Sequence, residues 1–163
     1  MTAGGPGVAF LLSQLGAHAA GRFADAVREL GLTPAQAGLL RAVASRPGES
    51  QRALADHLGT QPSRLVALID QLAARGVLER RDHPADRRLH ALHLTAAGAD
   101  LLRRLGAVAR AHEDDVCRAL DAEERARLLA LLGRIADDQG LTAGVHPGYR
   151  SAPDHPSGAV PAT

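Results

Sequence analysis

Between Glu79 and Gly98 the chain reads ERRDHPADRRLHALHLTAAG, two short extended runs parted by a loop that carries Pro84 and two aspartates as turn formers. Arg87 and Arg88 stand at the end of that loop. Directly upstream are two short helical patterns joined by about three residues around Gly59, the brief connection that a helix-turn-helix requires. Few folds place a hairpin immediately behind so tight a helix pair. The order of parts predicts a winged helix-turn-helix, mainly α with a small β-wing, with further N- and C-terminal helices for dimerisation.

Periodicity fills in the rest. Leu11, Leu15, Ala19, Phe23, Ala26 and Leu30 recur every three to four positions, one apolar stripe along a first helix over 8–30 that Gly31 ends. Thr33 caps a second helix with Pro34 at its first position and Leu39, Leu40 and Val43 inside, and Arg46-Pro47-Gly48 stops it. Ser50 caps a third, QRALADHL, closed by Gly59. The fourth begins near Thr60 to Pro62 and ends at Gly76, with Leu65, Leu68, Ile69 and Leu72 turned to the core. Strands are expected at 77–81 and 89–94, the second with Leu92 and Leu94 on one face. Thr95 caps a fifth helix of nearly 25 residues, and Asp121 with Glu124 has the spacing of a capping box at the start of a sixth.

With 163 residues and 45% hydrophobic content, the chain is long enough for one real core and too short for two. One Tyr, two Phe and no Trp leave that core to Leu, Ala and Val, which favours helices. The net charge of +1 announces no nucleic-acid partner, so the case for one rests on where charge sits. All 19 basic residues are arginines, which coding bias and fitness for bidentate phosphate and guanine contacts both account for. A single cysteine, Cys117, excludes an internal disulfide framework and points to a reducing compartment. The N-terminal segment lacks a positive region and a long apolar run, so it reads as neither signal peptide nor membrane helix, and a cytoplasmic protein is expected.

The terminal helices carry more apolar stripe than a module of roughly 60 residues can cover. Two copies can cover each other. A twofold dimer clasped through them would set two recognition helices side by side, as reading a pseudo-palindrome requires. The domain expected is thus 8–141, with a DNA-binding core over about 33–95, dimerisation helices over 8–31 and 95–140, and a flexible Gly-, Pro- and Ser-rich tail over 142–163.

The stretch LAARGVLERRDHPADRRLHALHLTAAG at 72–98, in this order of parts, resembles the MarR family of transcription regulators. The resemblance covers 8 to about 140 and rests on the end of the recognition helix, a Gly, an apolar pair, an Arg, a wing with Asp-x-Arg, and Leu-Thr-x-x-Gly. It implies a homodimer on double-stranded DNA that represses or activates promoters and is released by a small aromatic or phenolic effector or by oxidation. It also implies that Arg88 enters the minor groove while Asp86 orients the surrounding arginines.

In the first turn of the fourth helix, Gln61, Ser63 and Arg64 occupy the positions from which side chains reach base edges. Arg64 suits guanine O6 and N7, Gln61 suits adenine, and Ala67 suits a thymine methyl. A guanidinium in a narrow A·T-rich minor groove senses shape more than sequence. Arg87 reads as a phosphate contact or as a partner for Asp82. Ser50, Arg52 and Thr60 are placed to meet phosphates, although capping explains Ser50 and Thr60 equally well.

Other chemistries find less support. His90 and His93 fall on opposite faces of a strand, and His112 with Glu113 or Asp115 is the nearest approach to a ligand set, so no metal and no cofactor is expected. Cys117 lies in the apolar register near Val116 and Leu120, where a thiol packs as a small hydrophobe. No nucleophile motif, phosphate-cradling loop or paired carboxylates are found, so no enzyme is expected. A ligand pocket is expected where the first and fifth helices meet the winged module, near His18, Arg22 and Arg41, the arginines receiving a carboxylate or pairing with Asp25. The alternatives are a winged-helix module for protein contacts and a redox- or metal-responsive regulator of the same fold.

Overall fold

The structure is a computed structural model that describes residues 6–83 and 86–146, the side chains of 83–89 excepted. Its elements run α1 (Val8–Arg28), α2 (Pro34–Ser45), α3 (Gln51–Leu58), α4 (Pro62–Ala74), β1 (Leu78–His83), β2 (Asp86–Leu94), α5 (Ala96–Val116) and α6 (Ala122–Asp138). Mainly helical with one two-stranded antiparallel sheet, it is the winged helix-turn-helix that the pattern predicts.

Local chemistry sets most of the boundaries. The Thr33 hydroxyl accepts from the Gln36 amide at 3.2 Å and Gln36 Oε1 accepts from the Thr33 amide at 2.9 Å, a complete capping box in front of α2. Ser50 caps α3 by accepting from the Ala53 amide, and Gly59 ends it in the left-handed conformation, φ 61°. Asp121 and Glu124 form the second box, ahead of α6. Each such cap contributes about 1 kcal/mol, enough to choose where a helix begins. Two boundaries differ from expectation. The strands are longer than 77–81 and 89–94, because paired backbone carries them into the polar loop, and α5 stops at Val116, short of the length that its apolar stripe suggested.

β1 and β2 pair with Leu78 opposite Leu94 and Arg80 opposite Leu92. The segment before α3 adds a bridge on the far side of β2, from Ser50 to Ala91, with the Leu92 amide donating to Glu49 O and the Gly48 amide to Leu92 O. No periodicity announces so short a pairing.

The core sits inside the winged module. Leu39, Leu40, Leu54, Leu65, Ile69, Leu72 and Leu92 are fully buried, joined by Val27 from the end of α1 and Leu105 from the first half of α5. Helix α6 buries no residue at all. Instead Val8, Leu11, Leu12 and Leu15 of α1 face Leu128, Leu131, Leu132 and Ile135 of α6 across an open apolar cleft of 880 Å³.

The boundary at 142 needs correcting. Residues 142–146 follow α6 in a turn in which the Val145 amide donates to Thr142 O, and Val145 packs against the core. Composition alone missed it, because one valine in a Gly-rich segment has no periodicity to show. Residues 147–163 lie outside the described part.

Candidate nucleic-acid interface

Helix α4 is polarised by its own spacing: Leu65, Ile69 and Leu72 are fully buried, while Gln61, Ser63, Arg64 and Ala67 are exposed on the opposite side. Gln61 is the N-cap residue yet makes no capping hydrogen bond, so its amide group is not spent on the helix end. Arg52 is exposed on the neighbouring α3. These five side chains thus share the outer surface of the helix pair, as the sequence reading placed them.

Thr60 does not join them. It is 8% exposed, its hydroxyl has no hydrogen-bond partner among the described residues, and its amide donates to Ala55 O across the turn. It is neither cap nor surface contact, since the left-handed Gly59, three residues before α4 begins at Pro62, turns the chain inward. Ser50 is half-buried, and its hydroxyl serves the α3 cap. Asp86, Arg87 and Arg88 open β2, but the roles expected of their side chains lie outside the described residues.

Three long-range contacts hold α4 in place, and none was legible beforehand. Gln36 Nε2 donates to Gln71 Oε1 at 2.9 Å, joining α2 to α4. Arg75, at the C-terminal end of α4, donates to the carbonyls of Gly31 at 2.6 Å and Leu30 at 3.4 Å, where a cation also complements the negative end of the α1 dipole. Arg80 on β1 pairs with Asp70 on α4 at 2.5 Å, which fixes the hairpin against the helix. Its neighbour Arg81 is paired with Glu79. Both β1 arginines are therefore matched by carboxylates, and among the described side chains of this surface Arg52 and Arg64 are the arginines without a carboxylate partner.

The expected ligand pocket does not assemble. Arg22 is bound to Asp115 of α5 at 2.6 Å, not to Asp25, which pairs with Arg28. Beside that bridge Phe23 packs on His112, with ring centroids 5.5 Å apart. Arg41 lines a separate cleft of 260 Å³ with Ser45, His57 and the turn at 143–145, and His18 is exposed on α1. His18 and Arg22, one turn apart, share a face of α1, but Arg22 is held by Asp115 of α5 and Arg41 lines a different cleft on α2, so the three do not line one pocket. His112 and Asp115 are engaged by Phe23 and Arg22, and among the described residues no three His, Cys, Asp or Glu side chains come together.

Cys117 also departs from expectation. It is the C-cap residue of α5, half-exposed rather than in the apolar stripe, with its Sγ 3.7 Å from Glu113 Oε1. Partial burial first, then the neighbouring carboxylate, raises the thiol above its ordinary range. Thiolate is the reactive form. Alkylation by iodoacetamide at pH 8 should be slower than that of free cysteine and should keep accelerating above pH 9; rapid labelling at pH 7 would favour the redox-responsive alternative. Among the described residues no helix is long and apolar enough to cross a membrane.

Known proteins share this arrangement. The sequence profile of the MarR family matches residues 30–89. A protein of Thauera aromatica assigned to transcriptional regulation of the hcr operon is 35% identical over 105 residues, 64% of this chain; the match spans 63% of that protein, less than two thirds of its length. The transcriptional repressor CouR, solved on a 23-mer DNA duplex, is 34% identical with a TM-score of 0.70, covering 79% of this chain and 92% of that one. The Mycobacterium tuberculosis MarR family protein Rv2887, solved in complex with DNA, is 27% identical with a TM-score of 0.70, covering 80% and 98%. With the family profile matching across the helix pair and into the hairpin, and a repressor of the same fold 34% identical over 92% of its length, the chain belongs to the MarR family of winged-helix transcriptional regulators.

Proposed function

We propose that this protein is a homodimeric regulator that binds a pseudo-palindromic operator, setting α4 of each protomer into the major groove and the 83–89 loop into the flanking minor groove. The observation that carries this reading is the division of the surface. The exposed face of α4 is polar and small at its first turn, whereas α1 and α6 leave their leucines uncovered. One face suits base edges and phosphates; the other suits a second copy. CouR, a repressor held on a duplex at 34% identity, supports the same reading and favours repression.

Within it, residues 33–95 form the reading head, 8–31 and 95–140 the dimer scaffold, and Arg64, Gln61, Ser63 and Ala67 the base-reading set. Arg52, Ser50 and Arg87 meet phosphates, and Arg88, oriented by Asp86, enters the minor groove. The protein acts in the cytoplasm, without catalytic activity, and a small aromatic or phenolic effector releases it.

Fluorescence anisotropy with duplexes from upstream of its own gene provides the test. Affinity should fall steeply with salt, since neutralised phosphates release counterions, and Arg64→Ala should cost about 1–3 kcal/mol on the operator while sparing non-specific duplex. Arg88→Glu should weaken binding to every duplex. A salt-independent affinity, or a protein partner bound equally well by Arg88→Glu, would instead indicate a protein-interaction module.

A further inference from the structure

Exposed large apolar side chains are confined, with one exception among the described residues, to α1, the end of α5, α6 and Leu141. The exception is Val66, 38% exposed in the second turn of α4. It stands three residues after Ser63 and four before Asp70, so the three stack on one outward face, away from Leu65 and Ile69. The terminal helices have each other's leucines to meet, whereas Val66 lies in the reading head.

Val66 forms one wall of a shallow groove of 440 Å³ between α3 and α4, whose other walls are Gln51, Arg52, Asp56 and Pro62. The apolar part is small, Val66 and Pro62 alone, too little for the apolar centre of a stable protein interface but enough to meet a single methyl group. The major groove of DNA offers one apolar group, the C5 methyl of thymine. A β-branched side chain suits it well, because a valine in a helix is confined almost to one rotamer and loses little freedom on contact. Arg52 on the same rim is placed for the phosphate of the strand that carries the base.

We propose that Val66 is a specificity-determining residue that packs on the methyl group of one thymine in each half-site. The proposal rests on the DNA-binding reading and adds to it a second thymine, at a position distinct from the one assigned to Ala67.

A thermodynamic cycle between side chain and methyl group tests it. A duplex selected by the wild-type protein from a random pool is resynthesised with deoxyuridine in place of each symmetric pair of thymines, which deletes only the methyl groups. Wild type should lose about fourfold in affinity per half-site at one pair, the worth of one buried methyl, and Val66→Ala should show no loss at that pair. Val66→Thr, which keeps the shape but adds a hydroxyl, should fall between them. Equal sensitivity of wild type and Val66→Ala at every pair overturns the role of Val66 while leaving DNA binding intact. Selection of no duplex by the wild type overturns both.

Discussion

Gly98→Ala should unfold this protein at a temperature lower by about 2–8 °C, although alanine is the better helix former by about 1 kcal/mol. Gly98 is buried in the first turn of α5, its amide donating to the Thr95 hydroxyl at 3.0 Å. A β-carbon there would overlap the carbonyl oxygen of Val77 and stand 3.0 Å from its carbonyl carbon. That carbonyl is no flexible side chain. It accepts from the Thr95 amide at 3.2 Å while the Thr95 hydroxyl donates to Gly76 O at 2.6 Å, so moving it breaks the junction of α4, β1 and α5. Overpacking against fixed backbone costs about 1–3 kcal/mol or more, which outweighs the helix gain. Gly106→Ala is the control: its β-carbon would meet only the tip of Arg110 at 3.4 Å, and its melting temperature should hold or rise. Equal melting of the two variants would show that the approach of Val77 is not tight in solution.

Charge in the apolar cleft should separate the dimer and, with it, operator binding. Leu12 and Leu131 are 37% and 46% exposed and line the same cleft, which in the proposed dimer a second copy would cover. Burying a leucine stabilises by about 1.5–3 kcal/mol, and a carboxylate in its place must be stripped of water without a partner. Leu12→Asp with Leu131→Asp should therefore sediment as a monomer at micromolar concentration. The winged module should keep its melting transition, because α6 buries nothing within its own protomer. Losing the second half-site removes avidity, so operator affinity should drop a hundredfold or more while the salt dependence per protomer persists. A double variant that remained dimeric and bound the operator normally would place the interface elsewhere.

Part of this protein was legible because part of its physics is local. A helix start depends on residues three apart, so Thr33, Ser50, Thr95 and Asp121 could be assigned as caps from the chain alone, and each structure-level hydrogen bond falls where spacing put it. The outward position of Gln61, Ser63, Arg64 and Ala67 follows from the same arithmetic, since Leu65, Ile69 and Leu72 leave only one face of α4 free. Thr60 escaped because its burial depends on how the turn packs, which hydroxyl chemistry does not reveal. Arg22 was matched to Asp25 by nearness in sequence, whereas docking of α5 on α1 brought Asp115 closer.

What the sequence determined by itself is the succession of elements, the polar face of the recognition helix and the excess of leucine at both ends, all consequences of periodicity and capping within a few residues. Tertiary structure alone decided how α4 is held, through Gln36, Arg75 and Arg80, and which glycine tolerates no β-carbon. It also singled out Val66 as the apolar side chain left open in the reading head. Those outcomes depend on backbone and side chains that meet across tens of residues, and such meetings are settled only when the helices pack.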